Sequence, residues 1–218
     1  MAAPIVILEK NNQPKTVKPQ LTFVLFSDNL KLMGNTVGSK FFFDTAEDFY
    51  ILGLWLADGY WRTGSIGLTS VNTKLIEKFA NFFLRVAPNY PLKKRIYKVE
   101  EGVKRKQEAV QIYINNSSLT RIFMSTKTGV LQIPDRYLLA YLAGRIDGDG
   151  SVDTKYRSGI RIAYSSREDA LRDQILFGEI NVSLYQYQAA RTFVLYLKKN
   201  FRDRISKEIK KYSLKLAP

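Results

Sequence analysis

The sequence predicts an α+β fold made of two copies of one α-β-β-α-β-β-α unit. Residues 142–150 (LAGRIDGDG) and residues 51–59 (ILGLWLADG) carry Gly, a small residue, Asp and Gly at the same relative places. Downstream of these runs, residues 66–70 (IGLTS) correspond to residues 162–166 (IAYSS). Each motif alone resembles an ordinary turn. Two copies in one register, followed by the same order of alternating and helical stretches, indicate a duplication.

The composition limits the chemistry that this chain can perform. Its 218 residues suffice for one large domain or two small ones, and 34 Lys and Arg against 20 Asp and Glu give a net charge of +14. Such an excess favours an anionic partner, most commonly nucleic acid. The chain has no Cys and no His. Zinc fingers, Ser-His-Asp triads and Cys nucleophiles are therefore excluded, and oxygen ligands point to Mg²⁺, Mn²⁺ or Ca²⁺.

The first residues of the sequence do not have the pattern of a secretion signal. Residues 1–8 lack the charged start and long apolar centre of a secretion signal, and no long uncharged apolar run is present. We therefore expect an intracellular, cytoplasmic protein. Residues 1–43 read as an N-terminal extension interrupted by Pro4, Pro14 and Pro19, for which simple packing is the preferred interpretation over a reach along DNA.

The first half is expected to span residues 44–128. Asp44 and Glu47 have capping-box spacing, which predicts a helix that begins at Thr45 or Ala46 and ends at Asp58. The patterns after this helix predict strands at 60–64 and 65–70, a helix at 73–86, a hairpin of strands 91–100 and 109–114, and a helix at 119–124.

The second half repeats this order over residues 136–218, after a linker at 129–135. A helix ends at Asp149, and strands are expected at 151–155 and 159–166. A helix at 167–180, a hairpin of strands 183–188 and 191–197, and a basic amphipathic helix at 201–212 complete the unit.

The motif helix of the second half has an unusual face and an unusual end. Ala140, Gly144 and Gly148 recur every four residues, so one helix face is nearly bare and can pack closely on another helix. Asp149 stands at the C-terminus, where a negative charge opposes the helix dipole. An acid in that place indicates a role with a cation.

At these residues the chain resembles the LAGLIDADG homing endonucleases in their single-chain, two-motif form. Residues 142–150 differ from the eponymous string only at Arg145 and Gly148, while residues 51–59 keep the pattern more loosely. The resemblance covers about residues 45–212. It implies two motif helices packed at the centre of a pseudo-twofold fold, and two curved antiparallel sheets that form a saddle over the DNA major groove.

The resemblance also implies an activity. Asp58 and Asp149 would be the catalytic acids, and with the main-chain carbonyls of Ala57 and Gly148 they would hold Mg²⁺, in sites that Mn²⁺ or Ca²⁺ may also occupy. The expected reaction is site-specific hydrolysis of double-stranded DNA that leaves short 3′ overhangs, by an intron-encoded monomer without an obligate protein partner. A non-cleaving or dual-function intron RNA maturase, or a DNA-binding regulator, is the alternative on the same scaffold. A basic structural protein with acidic turns is a third hypothesis.

Family members often carry further polar and basic residues in the site. The second strands end near Ser70 and Ser166, which would only orient water. Lys198 or Lys199 fits the basic position after the last strand of the second half, whereas residues 116–118 of the first half are uncharged. This asymmetry predicts that the two strands are cut at unequal rates.

The expected DNA contacts lie on the strands. In the first half they are Tyr60, Trp61, Arg62, Thr69, Ser70, Lys93, Arg95, Tyr97, Lys106, Gln111 and Tyr113. In the second half they are Lys155, Tyr156, Arg157, Arg161, Tyr164, Ser166, Tyr185, Tyr187, Gln188, Arg191 and Lys198. Because strand side chains alternate between faces, only about half of them can reach one groove.

Overall fold

The computed structural model describes residues 41–101, 105–129, 131–153, 159–178, 182–187, 192–198, 203, 205 and 207–216. The chain divides after residue 40, and residues 41–218 form one compact unit, the second of the two. The expected extension at 1–43 thus lies outside the described residues, apart from positions 41–43. All described residues belong to the second unit.

The elements of this unit follow the predicted order. The first half contains α1 (Ala46–Asp58), β1 (Gly59–Arg62), β2 (Ser65–Ser70), α2 (Thr73–Val86), β3 (Lys93–Glu101), β4 (Arg105–Asn115) and α3 (Ser117–Thr128). The second half contains α4 (Asp135–Asp149), β5 (Gly150–Asp153), β6 (Gly159–Tyr164), α5 (Arg167–Phe177), β7 (Val182–Tyr187) and β8 (Thr192–Leu197). Helical backbone also occurs at residues 203, 205 and 207–209.

The strands form two separate four-stranded antiparallel sheets with the same topology. Their orders are β1-β2-β4-β3 and β5-β6-β8-β7. In both sheets the strand that leaves a motif helix lies at one edge. The α+β fold class and its internal duplication are therefore confirmed. In the described part of the chain, no helix is long and apolar enough to cross a bilayer.

Local capping explains where two helices begin. The Thr45 hydroxyl accepts a hydrogen bond from the Asp48 amide at 3.2 Å, and the Asp48 carboxylate accepts one from the Thr45 amide at 3.0 Å. The capping box therefore joins Thr45 and Asp48, one residue later than predicted. The prediction that Asp44 and Glu47 form it was wrong. Helix α3 begins before the predicted position because Asn116 Oδ1 caps it through the Leu119 amide, at 3.0 Å.

The two motif helices, α1 and α4, pack against each other at the centre of the unit. A side chain at Gly53 would overlap the carbonyl oxygen of Tyr141, and one at Gly144 would overlap that of Tyr50. The bare helix faces thus allow contact of main chain with main chain. This packing fixes the two helix ends relative to each other, and with them the residues of the candidate site.

Candidate active site and nucleic-acid interface

The C-terminal ends of α1 and α4 meet at one place. A Cβ built on Gly148 would overlap the Ala57 side chain and would lie 3.5 Å from Asp58 Oδ2. Ala57, Asp58, Gly148 and Asp149 are all half-buried. The structure therefore brings together all four residues proposed as metal ligands.

The two acids are held where their charge is unfavourable. Burial, and then the charge of Asp149, raise the pKa of Asp58 from 3.8 to about 6. Burial also raises the pKa of Asp149, although the positive charges of Arg145 and Lys215 oppose that rise. Because the site disfavours the ionised form of both carboxylates, a bound cation would stabilise them there.

The donor set fits a hard divalent cation. Among the described residues no group of three or more Asp, Glu, His or Cys side chains is placed to hold a metal. The available donors are the two carboxylates and main-chain carbonyls, all of them oxygen. Mg²⁺ is commonly bound by one or two carboxylates, with water and substrate phosphate completing its ligands. Ala57, Asp58, Gly148 and Asp149 would hold such an ion.

A lysine that the sequence reasoning missed lies at this place. Lys215 Nζ donates to the carbonyl oxygens of Gly148, at 2.8 Å, and Gly150, at 2.7 Å. The internal repeat gives no signal for it, because the segment after α3 that corresponds to Leu214-Lys215-Leu216 is Leu131-Gln132-Ile133, with an uncharged residue in the middle. Of the basic residues proposed from the sequence, Lys198 is exposed just after β8, and Lys199 is outside the described residues.

Asp147 holds the segment that carries Lys215. Its buried carboxylate accepts hydrogen bonds from the Ser213 hydroxyl at 2.6 Å and from the amides of Leu214 and Lys215 at 2.7 and 3.0 Å. The Tyr50 hydroxyl of α1 donates to the same carboxylate at 2.7 Å. Of the two acids in the second motif, Asp149 thus lies where its charge acts on Asp58, and Asp147 anchors the tail.

Arg145, which departs from the family string, has a structural partner. Its Nε donates to the buried Asp173 of α5 at 2.8 Å, and its guanidinium lies 4.6 Å from the ring centre of Tyr164. Tyr141 and Tyr164 donate to the same carboxylate at 2.6 and 2.8 Å. This network fixes a positive charge beneath the second half of the site, where it opposes the rise in the pKa of Asp149.

The open face of the first sheet collects most of the DNA contacts predicted for the first half. Buried Ile66 and Leu68 of β2 pair with Ile114 and Ile112 of β4, so these residues mark the core face. The alternate residues share the opposite, open face by their register. They include Tyr60, Arg62, Thr69, Lys93, Arg95, Tyr97, Gln111 and Tyr113.

Side chains on this open face are already ordered by one another. Tyr97 donates to Gln111 Oε1 at 3.1 Å, and Gln111 Nε2 donates to Thr69 Oγ1 at 3.0 Å. The Arg95 guanidinium lies 4.9 Å from the ring centre of Tyr113. Gln111 and Tyr113 are themselves buried among these neighbours, so they support the face rather than present it. The groups of this face that are exposed for phosphate and base-edge contacts are the side chains of Arg62, Lys93, Arg95 and Tyr97.

The second sheet is described less completely. Arg161 is exposed, and its Nε donates to Ser151 Oγ at 2.6 Å across β5 and β6. Several predicted contacts belong to strands but have side chains outside the described set: Lys106, Tyr185 and Tyr187. Others lie wholly outside the described residues: Lys155, Tyr156, Arg157, Gln188 and Arg191.

Four expected contacts are corrected by their surroundings. Tyr164 is buried and donates to Asp173, so it cannot reach DNA. Trp61 lies on the core side, between Trp55 and the Lys127 ammonium. The hydroxyls of Ser70 and Ser166 accept hydrogen bonds from the amides of Asn72 and Asp169, at 3.1 and 3.3 Å, and so order the starts of α2 and α5. These last two residues do not extend the open face.

Comparison with known proteins agrees with this arrangement. A family model described as a LAGLIDADG-like domain matches residues 46–126. Residues 46–126 form a LAGLIDADG-like domain. The resemblance drawn from the two motifs is therefore confirmed. No curated protein sequence matches the chain.

Solved structures extend the likeness over both LAGLIDADG-like halves. I-DmoI in complex with DNA and Mn matches with a TM-score of 0.56 and 16% identity, covering 75% of this chain and 96% of that chain. I-DmoI in complex with DNA and Ca matches with a TM-score of 0.54 and 15% identity, covering 75% and 88%. Full-length DUF199/WhiA from Thermatoga maritima matches with a TM-score of 0.56 and 17% identity, covering 81% of this chain and 60% of that chain. At these identities the matches show the fold, which is shared with a DNA-binding homing endonuclease.

Proposed function

We propose that this protein is a site-specific, divalent-metal-dependent endonuclease of double-stranded DNA. One observation carries the proposal: two half-buried carboxylates, Asp58 and Asp149, meet at paired helix ends in a site that raises the pKa of both. A net charge of +14 and an ordered open face on the first sheet support DNA as the substrate. The fold neighbour I-DmoI, seen with DNA and Mn, supports the same function.

The residues of the site divide the work of this reaction among them. A bound Mg²⁺ would supply charge neutralisation for the phosphate, activation of the attacking water and stabilisation of the leaving 3′ oxygen. Asp58 and Asp149 supply negative charge from two different helices. Each would hold a cation for the cleavage of one DNA strand. The main-chain contact at Gly53 and Gly144 keeps the two helix ends in register. Arg145 keeps a positive charge beneath Asp149, which favours its ionised form.

Cleavage of a duplex DNA library by the purified protein, with Mg²⁺ or with EDTA, tests this proposal. We expect discrete cuts with short 3′ overhangs in Mg²⁺ and none in EDTA. The cut sites would also deliver the recognition sequence. If the protein binds duplexes tightly and in a salt-sensitive way but cuts no library member, the proposal that it is an endonuclease is contradicted.

Asp149→Asn is the matching test of the site. The substitution removes one negative charge from the cation site and no group from the open face, so cleavage of at least one strand should be lost while DNA binding is retained. Asp135→Asn is the control, because Asp135 is an exposed carboxylate in the first turn of the same helix. Normal cutting of both strands by Asp149→Asn would remove Asp149 from the mechanism.

A non-cleaving or dual-function DNA or intron RNA binder is the second candidate. It is favoured by the Lys215 ammonium, which hydrogen-bonds the Gly148 carbonyl and opposes the rise in the pKa of both acids. This positive charge partly neutralises the acidic site without a metal. The second candidate predicts binding that is indifferent to EDTA.

A further inference from the structure

The Lys215 ammonium lies at the end of α4 like a bound cation. It donates to two main-chain oxygens, of Gly148 at 2.8 Å and of Gly150 at 2.7 Å. Its positive charge lowers the pKa of Asp58 and of Asp149, against the rise that burial causes. One of these oxygens, that of Gly148, is also a proposed metal ligand. Lys215 and a divalent ion would therefore use the same carbonyl.

The main chain of Lys215 is fixed, whereas its side chain is exposed. Asp147 binds the amides of Leu214 and Lys215 and the hydroxyl of Ser213, and Lys78 Nζ of α2 donates to the Tyr212 carbonyl at 2.9 Å. The long side chain of Lys215 remains accessible to water. Such a side chain can change rotamer without disturbing the tail.

Among the described residues of the first half, the position that corresponds to Lys215 carries no charge. The residue that corresponds to Lys215 in the internal repeat is Gln132, which is exposed and uncharged. The segment after α3 therefore brings no ammonium to compete for the carbonyl of Ala57. The two ends of the site differ in charge although their acids match.

We propose that Lys215 is an internal, displaceable cation that competes with a divalent metal for the Gly148 carbonyl. Metal binding at the α4 side requires the ammonium to leave, so this side binds metal more weakly than the α1 side. The inference rests on the proposed metal-dependent function. It also gives a physical source for unequal cutting of the two strands.

Titration of the full chain with Mn²⁺ in the absence of DNA, followed by the electron paramagnetic resonance signal of free Mn²⁺, tests the competition. We expect a stronger and a weaker site in the wild type. In Lys215→Met the weaker site should tighten about tenfold, because the ion no longer has to break a charge-assisted hydrogen bond. Lys211→Met is the control, since it removes one exposed lysine charge from the same tail and should leave both affinities unchanged.

The outcomes separate the inference from the function on which it rests. Equal or weaker Mn²⁺ binding in Lys215→Met than in Lys211→Met overturns the competition alone. Absence of Mn²⁺ binding in both the wild type and Lys215→Met overturns the metal site as well. The backbone bonds to Asp147 remain in Lys215→Met, and thermal unfolding checks that it folds. Lys215→Gln provides a second uncharged variant with the same expected tightening.

Discussion

Asp58→Asn should stabilise the metal-free protein at neutral pH, because it removes an acid held in an unfavourable site. The pKa of Asp58 is about 6 in the folded protein against an ordinary value of 3.8. Below pH 3.8 the group is neutral in both states. As the pH rises to about 6, the unfolded chain loses its proton first, so the free energy of unfolding falls. A difference of about 2 pKa units corresponds to a loss of about 3 kcal/mol, complete above the folded pKa.

Urea unfolding in EDTA, followed by tryptophan fluorescence at pH 4 and at pH 7.5, measures this loss. Asp58→Asn and the wild type should differ little at pH 4, whereas at pH 7.5 the variant should be more stable by about 3 kcal/mol. Asp44→Asn is the control because Asp44 is exposed, outside the site, and should follow the wild type at both pH values. Added Mg²⁺ should then stabilise the wild type more than Asp58→Asn, since the ion binds the native carboxylates. If Asp58→Asn is no more stable than the wild type at pH 7.5, the site does not oppose the charge of Asp58, and the argument for a cation there fails.

Three further predictions concern packing, the buried network and DNA binding. Gly144→Ala should destabilise the protein by about 3 kcal/mol or more, because the added Cβ overlaps a main-chain carbonyl of α1, and chemical denaturation would measure the loss. Arg145→Leu should cost about 3–5 kcal/mol by removing the nearer of the two cations beside the buried Asp173 carboxylate. Arg145→Leu with Asp173→Asn should recover much of that cost in a double-mutant cycle, because Asn removes the buried charge and keeps an acceptor for the Tyr141 and Tyr164 hydroxyls. An equally unstable double variant would refute this account of the pair. Arg95→Ala should weaken DNA binding and lower its salt dependence, whereas Lys94→Ala, on the opposite face of the same strand, should change neither in a binding titration at several salt concentrations. Equal effects of Arg95→Ala and Lys94→Ala would show that the open face does not meet the DNA.

The sequence predicted those parts of the fold that depend on local patterns. Helix α2 begins and ends at the predicted residues, because Asn72 caps it and its apolar stripe is uninterrupted. The duplication, the paired acidic helix ends and the alternation of the first sheet were likewise visible in short spacings. The first sheet could be divided into two faces only once its register was known, since alternation alone does not say which face is covered.

The missed features all depend on contacts between distant residues. Lys215 and Gly148 are 67 positions apart, and Arg145 and Asp173 are 28 apart. No local spacing predicts such pairs. Tyr164 is a strand residue in a region where DNA contacts were expected, but it is buried and its hydroxyl donates to the buried Asp173 carboxylate.

The contact between the motif helices has a consequence for how the halves can vary. At Gly53 and Gly144 the closest approach joins main-chain atoms, which every amino acid possesses. The main sequence requirement of this helix contact is therefore glycine at two positions, Gly53 and Gly144. The two halves can diverge widely elsewhere, as an aromatic cluster beneath the first sheet and an Arg145–Asp173 pair beneath the second illustrate. A half from another protein of this fold, with glycine at the same places, should therefore be able to pack against the remaining motif helix.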